Sequence, residues 1–200
     1  MDLDLKKISE PVEKELDEFK SHFREAIRSK VALVDLISKY ILRQKGKKIR
    51  PILVMLSAKL CGDVNNRSFT AATLVEMLHT ATLIHDDVVD DAKTRRGLAS
   101  INAVWKNKIA VLMGDYMLSR GLLLALENDE CGFLKITSRA VKRMSEGELL
   151  QIQKNRKLEV DEQTYFKIIS DKTASLITAC CELGAASTSK DKGEIALLSE

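Results

Sequence analysis

After Pro51 the chain contains no further proline, and before it stands only Pro11. Proline breaks helices because it lacks an amide donor and clashes with the preceding turn. Two prolines and nine glycines in 200 residues therefore leave room for long, almost uninterrupted helices. Leu, Ala, Lys, Glu and Ile dominate the sequence, which favours helix. Apolar residues recur at three- and four-residue spacing, as in "VEKELDEFKSHFREAI", the period of an amphipathic helix. No alternating strand leading into a tight hairpin turn is visible. The expectation is an all-α bundle with helices near 8–29, 31–44, 51–61, 67–91, 101–107, 109–127, 133–154, 161–186 and 190–200. "CGD" at 61–63, "NNRS" at 65–68 and "RRG" at 95–97 punctuate it. Ser68 is the expected N-cap of the long central helix, and Pro51 the expected first residue of its own.

The length suits one sizeable core and a single domain over residues 1–200. Apolar residues make up 45% and charged residues 30%, so the chain is globular. A net charge of only +3 argues against nucleic acid or an anionic membrane as the main partner. The start "MDLDLKKISEPVEKEL" lacks the apolar core of a signal peptide. No apolar run reaches the roughly 20 residues a membrane-spanning helix needs, so an integral membrane protein is not expected. Cys61, Cys131, Cys180 and Cys181 have no zinc-like spacing, which points to buried thiols in a reducing cytoplasm.

The chemistry concentrates in "LIHDDVVDDAKTRRG", residues 83–97, where four aspartates follow an apolar run and two arginines follow the aspartates. Asp86 and Asp90 are four apart and share one helix face, about 6 Å apart along the axis. Asp87 is adjacent and within reach of the same region. Carboxylates gathered at a helix C-terminus repel each other and oppose the helix dipole. A hard cation such as Mg²⁺ relieves both effects, and it commonly bridges one or two carboxylates to substrate phosphates. Taken alone, the segment also fits a solvated acidic helix end with Arg95 and Arg96 as surface counterions. Upstream, "KGKKIRP" at 45–51 sets Lys47 and Arg50 at the start of a helix, where they suit a bound anion or form an ordinary basic turn. His79 lies seven residues before Asp86 on nearly the same face, either as a ligand or as a satisfied core residue. "SDKTASL" at 170–176 places Lys172 and Thr173 beside a run of small residues.

Together these blocks resemble the trans-isoprenyl diphosphate synthases, also called polyprenyl synthetases. "GKKIRP", "EMLHTATLIHDDVVDDAKTRRG", "AVLMGDYMLSR" at 110–120, "GELLQ" at 147–151 and "KTASL" at 172–176 match the family's motifs in order. "HTATLIHDDVVDDA" is similar to octaprenyl- and solanesyl-type members. The resemblance implies a helical bundle around a deep cavity, usually a homodimer, that elongates an allylic diphosphate head-to-tail with isopentenyl diphosphate. It implies Mg²⁺ on Asp86 and Asp90, supported by Asp87. It places Arg95, Lys172, Thr173 and Gln151 around the allylic diphosphate, with Asp86, Asp87, Asp90 and Lys172 as the catalytic set. Lys47, Arg50, His79 and Arg96 fall to the isopentenyl diphosphate. Ala81 and Thr82, one turn before Asp86, occupy positions where short-chain members carry a bulky aromatic; small residues there imply a medium-to-long all-trans product.

Two departures accompany the match. Lys45 stands where the family usually has a glycine, and no second aspartate cluster occurs, since Asp161, Asp171 and Asp191 are isolated. The expectation is that these 200 residues are the N-terminal part of a longer synthase and are weakly active or inactive alone. Robust elongation by this chain would refute the need for the second cluster. Two other readings stand beside elongation: a non-catalytic subunit of a heteromeric synthase, and a class I terpene cyclase. The intact first motif argues against the subunit, and an aromatic content of 4% argues against the cyclase. No Ser or Cys nucleophile with a triad is visible.

Overall fold

A computed structural model describes residues 4–44, 46–157 and 161–199. The expectations that touch residues 1–3, Lys45 and Glu200 concern positions outside the described residues. Among the described residues ten α-helices follow one another: α1 (Leu5–Ser9), α2 (Glu13–Ala26), α3 (Ala32–Arg43), α4 (Ile49–Cys61), α5 (Asn66–Val89), α6 (Ile101–Glu127), α7 (Cys131–Lys157), α8 (Glu162–Ile169), α9 (Ser175–Thr188) and α10 (Lys192–Leu197). The all-α expectation holds, and the differences are local. The first expected helix is interrupted at Pro11, which sits in a 3-10 turn between α1 and α2. Helix α4 begins two residues before Pro51, at Ile49; its first-turn amides have no intrahelical partner, so proline is tolerated there. The N-cap of α5 is Asn65, and Ser68 is its reciprocal partner three residues on, completing a capping box.

Helix α5 organises the bundle. Phe69, Ala71, Ala72, Leu74, Val75, Met77 and Leu78 are all buried, so the helix is apolar all round and must lie inside. Its main partner is α6, while α4 packs chiefly on α9. Gly184 of α9 lets the α4–α9 pair approach closely: a Cβ there would stand 2.3 Å from the Val54 carbonyl oxygen and 2.7 Å from Ser57 Cβ.

Helix α6 merges the two helices expected at 101–107 and 109–127. Lys106, with φ 73° and ψ 161°, kinks it. By length and composition alone α6 is long and apolar enough to cross a membrane, but charged residues interrupt it, so it is not the uninterrupted apolar run of about 20 residues whose absence the sequence suggested. It carries Asp115 and Arg120 within its apolar stretch and packs along α5.

Two further features escaped the sequence. Thr94–Arg95 (β1) and Leu98–Ala99 (β2) pair antiparallel, Thr94 with Ala99 and Arg95 with Leu98. The intervening Arg96 and Gly97 have φ of 52° and 81°, the signs a two-residue type I′ turn requires. The "RRG" block is therefore a small hairpin, not mere helix punctuation. The expected 161–186 helix also changes pitch: Ser170–Ala174 form a π-helical turn between α8 and α9. That turn carries Lys172 and Thr173, and such turns often mark functional sites.

Candidate functional site

The acidic end of α5 presents two faces. Asp86 is half-buried and Asp90 is exposed. Burial pushes the Asp86 carboxyl above the usual range; Glu148 and Asp90 push it further, while Lys172 and Arg95 oppose them. These neighbours place Asp86 in an electrostatic environment shared with α7 and the π turn. Asp87 serves a different purpose from its neighbour. It is 3% exposed, its Oδ1 accepts from Arg95 Nε at 2.7 Å and also from Arg95 Nη2, and its carbonyl accepts from Asn102 Nδ2 at 3.0 Å. Asp87, expected to support Asp86 and Asp90, turns its carboxylate to Arg95 and so anchors the hairpin.

Opposite Asp86, α7 clasps the π turn. Lys172 Nζ lies 2.5 Å from Glu148 Oε2 and donates to Gln151 Oε1 at 3.1 Å. Gly147 permits the approach, since a Cβ there would come within 3.0 Å of Asp171 Cβ and 3.1 Å of the Lys172 amide nitrogen. Arg143 secures the turn, bonding Asp171 Oδ1 at 2.8 Å and Ser170 Oγ at 3.0 Å. The blocks "GELLQ" and "KTASL" are therefore two halves of one contact. Glu148 was missed as a site residue, although its spacing of three from Gln151 puts both on one helix face.

A basic cleft of about 460 Å³ opens between the segment before α4, the middle of α5 and the hairpin, lined by Lys47, Lys48, Arg50, Glu76, His79 and Arg96 among others. Arg50 Nη1 lies 2.9 Å from His79 Nε2, and Arg96 Nη2 lies 3.3 Å from the same atom. Guanidinium nitrogens only donate, so Nε2 accepts and the imidazole is neutral. Burial, with Arg50 and Arg96 next, lowers the His79 pKa to about 3. Burial also lowers Arg50 and Lys48 from their ordinary values. Arg50 Nε is buried without a hydrogen-bond partner. Lys47 is exposed at the rim. Gly46 makes room for Arg96, whose Nη1 would stand 2.5 Å from a Cβ at that position. The cleft thus gathers cations around a neutral acceptor, an arrangement suited to a polyanion.

The hairpin sends its two arginines apart. Arg95 pairs with Asp87, and Arg96 reaches His79. Both were expected, with Lys47, Arg50 and His79, to hold diphosphates, and the structure brings Lys47, Arg50, His79 and Arg96 together. Lys172, Gln151 and Thr173 lie on the α7–π-turn side. Ala81 is 2% exposed, packed in the core, while half-buried Thr82 donates its hydroxyl to the His79 carbonyl at 2.9 Å. Among the described residues no group of three or more His, Cys, Asp and Glu side chains converges as a metal cage. Asp86 and Asp90 supply hard oxygen donors on one face, and that set fits an ion that completes its shell with water and phosphate oxygens.

A family model described as polyprenyl synthetase matches residues 31–200. The chain belongs to the polyprenyl synthetase family. It is 40% identical over 188 residues to the all-trans-nonaprenyl-diphosphate synthase (geranyl-diphosphate specific) of Rhodobacter capsulatus, covering 93% of this chain and 58% of that one. The octaprenyl diphosphate synthase of Escherichia coli K12 is 35% identical over 180 residues, covering 90% of this chain and 56% of the relative. Among solved structures, a polyprenyl synthase from Caulobacter crescentus CB15, complexed with calcium and isoprenyl diphosphate, superposes with a TM-score of 0.92 at 31% identity, covering 98% of this chain and 60% of that one. The polyprenyl synthetase chain described here therefore spans less than two thirds of these relatives' length.

Proposed function

We propose that the protein elongates an allylic diphosphate by head-to-tail condensation with isopentenyl diphosphate, giving a medium-to-long all-trans polyprenyl diphosphate. The observation that carries this reading is the separation of two anion-suited regions by one hairpin. Asp86, Asp90 and Lys172 lie on one side, and Arg50, His79 and Arg96 on the other, with Arg95 and Arg96 diverging between them. A terpene cyclase handles one diphosphate and has no use for the second region.

In the proposed reaction the allylic C–O bond breaks and the pyrophosphate leaves with the bonding electrons. Lys172, oriented by Glu148 and Gln151, and Arg95, fixed by Asp87, stand where that developing charge has to be met. Asp86 and Asp90 would hold Mg²⁺, which supplies further neutralisation of the leaving group when bound. The allylic cation is captured by the double bond of isopentenyl diphosphate, held by Lys47, Arg50, His79 and Arg96; the new tertiary cation then gives a proton to the departed pyrophosphate, and the C–H electron pair becomes the new double bond. Neutral His79 accepts from Arg50 and Arg96 and so aligns both guanidiniums without adding charge. The apolar body of α5 below Asp86 would keep water from the cation, and the small Ala81 and Thr82 would leave the path of the growing chain open.

A homodimer is supported by α6, whose Val104, Val111, Leu112, Leu122, Leu123 and Leu126 are 38% to 55% exposed on one long helix. All four cysteines are free, as a reducing, cytoplasmic setting would have them, but only Cys180 is buried and Cys131 is exposed, so the expectation of buried thiols holds for Cys180 alone. The deciding experiment is incubation with Mg²⁺, isopentenyl diphosphate and farnesyl diphosphate, with wild type compared to Asp86→Ala. A linear polyprenyl product that disappears in the variant supports elongation. A cyclic hydrocarbon, or a product indifferent to Asp86, overturns it.

A further inference from the structure

One buried acid stands inside the basic cleft. Glu76 lies one turn before His79 on α5 and is 8% exposed. Its side chain forms part of two walls. On one side it lines the cleft of Arg50, His79 and Arg96; on the other it lines a small, partly open chamber shared with Phe19, Lys48, Asp87, Arg95 and Arg96. Asp87, eleven residues on, falls on nearly the same helix face. The two carboxylates thus sit below the two consecutive arginines of the hairpin, but they differ in partnership. Asp87 is bonded to Arg95. Among the described residues, no hydrogen bond or ion pair within 4.0 Å reaches the Glu76 carboxylate, although Arg96, Arg50 and Lys48 bear on it, in that order of strength after burial. Arg50 Nε, buried in the same region, also lacks a partner. A buried donor left without a partner is costly, so Arg50 Nε calls for a further component, while the Glu76 carboxyl opens on the cleft, which is shaped and charged for a polyanion.

We propose that Glu76 is the counter-acid of the isopentenyl diphosphate subsite: before the ligand enters it balances Arg50 and Arg96, and as the diphosphate takes over both guanidiniums its carboxyl takes up a proton from solvent. This rests on the assignment of the cleft to isopentenyl diphosphate. The charge arithmetic favours it. A carboxylate left beside a bound diphosphate would be repelled by it, whereas a carboxylic acid can donate to a phosphate oxygen. The other groups bearing on this carboxyl are Lys48 before α4, with Asp17, Lys20 and Arg24 of α2 behind it, and the buried thiol of Cys180 on α9. His79, held neutral by burial and by its two guanidinium neighbours, is no competing proton acceptor at neutral pH.

The test is calorimetric titration with isopentenyl diphosphate, without allylic primer, in two buffers of different ionisation enthalpy across a pH series. Wild type should take up a proton that Glu76→Gln does not. The ratio of wild-type to variant Kd should rise with pH, by up to about tenfold per pH unit for one coupled proton. Glu76→Asp, which keeps a carboxyl, should retain the uptake. Equal uptake in wild type and Glu76→Gln, or affinity losses that are the same at every pH, would overturn the proposal and leave Glu76 a structural residue. If Glu76→Gln does not fold, wild-type uptake no greater than that of the ligand's own protonation overturns it as well. Arg50→Gln and Arg96→Gln separate the two claims. If neither weakens binding, the subsite assignment fails; if both do and no uptake is found, only the role of Glu76 fails.

Discussion

His79 should make this fold lose stability on acidification, and the amount follows from its surroundings. The imidazole is 8% exposed and faces the guanidiniums of Arg50 and Arg96. Its pKa is lowered to about 3 in the folded chain, against about 6.5 unfolded. Between those values the unfolded chain binds a proton that the folded chain refuses, so stability rises with pH across the window and falls as pH drops. One-site linkage gives a loss on the order of 1 kcal/mol at pH 5.5 and on the order of 3 kcal/mol at pH 4.5, relative to pH 7.5. That is a large share of a typical folding stability of about 5–15 kcal/mol. Other groups titrate in the same range, so the comparison needs a variant that keeps the acceptor and drops the titration. His79→Gln does this: its carbonyl oxygen can accept from both arginines. Urea unfolding of wild type and His79→Gln at pH 7.5, 6.5, 5.5 and 4.5 gives two curves whose difference isolates His79. The wild type should fall away from the variant below pH 6.5 with the slope above. Parallel curves would refute the argument that His79 is buried and neutral between two cations.

Other consequences are as direct. Gly184→Ala should cost about 1–3 kcal/mol by overpacking the α4–α9 contact, because the new Cβ would lie 2.3 Å from the Val54 carbonyl oxygen; an unchanged urea midpoint would show that the helices separate freely. Asp87→Asn should cost on the order of 2 kcal/mol by removing the ionic acceptor of Arg95, and should weaken allylic diphosphate binding in calorimetry while leaving isopentenyl diphosphate affinity near wild type. Equal losses for both ligands would mean that Asp87 supports the hairpin as a whole. Ala81→Phe should shorten the polyprenyl product, resolved by chain length in chromatography; an unchanged distribution would remove Ala81 from the floor of the cavity.

The fold was legible because its signal is periodic and redundant. Helices α3, α4, α5 and α7 each repeat their apolar spacing over several turns, so an error at one end leaves the element intact. Single-residue events were not legible in this way. The kink at Lys106 and the positive φ of Arg96 are backbone states of residues that do not announce them, and "RRG" could read as a stop as easily as a turn. The π turn at Ser170–Ala174 keeps helical periodicity on both sides, so nothing in the apolar spacing betrays the extra residue. The Asn65–Ser68 cap shows the same limit on a smaller scale, since both residues suit an N-cap and only the backbone decides between them.

The site divides along a similar line. Residues whose charge is anomalous for their position stood out: paired aspartates at a helix C-terminus, and lysine with arginine at a helix start. Residues that serve those charges did not. Asp87 sits among four aspartates and looks equivalent to Asp86, yet a rotation of about 100° per residue turns it to the other side of α5, where Arg95 takes it up. Glu148, Gly147 and Gly46 matter because of what packs against them, and that is set by tertiary packing. Glu76 is the sharpest case. In the string "VEMLHTATLIHDD" it looks like the solvent-facing acid of an amphipathic helix, but α5 has no solvent-facing side at that turn. Asp87 is already held by its arginine, whereas among the described residues no hydrogen bond or ion pair reaches the Glu76 carboxylate, which leaves that carboxyl free to answer a ligand in the cleft.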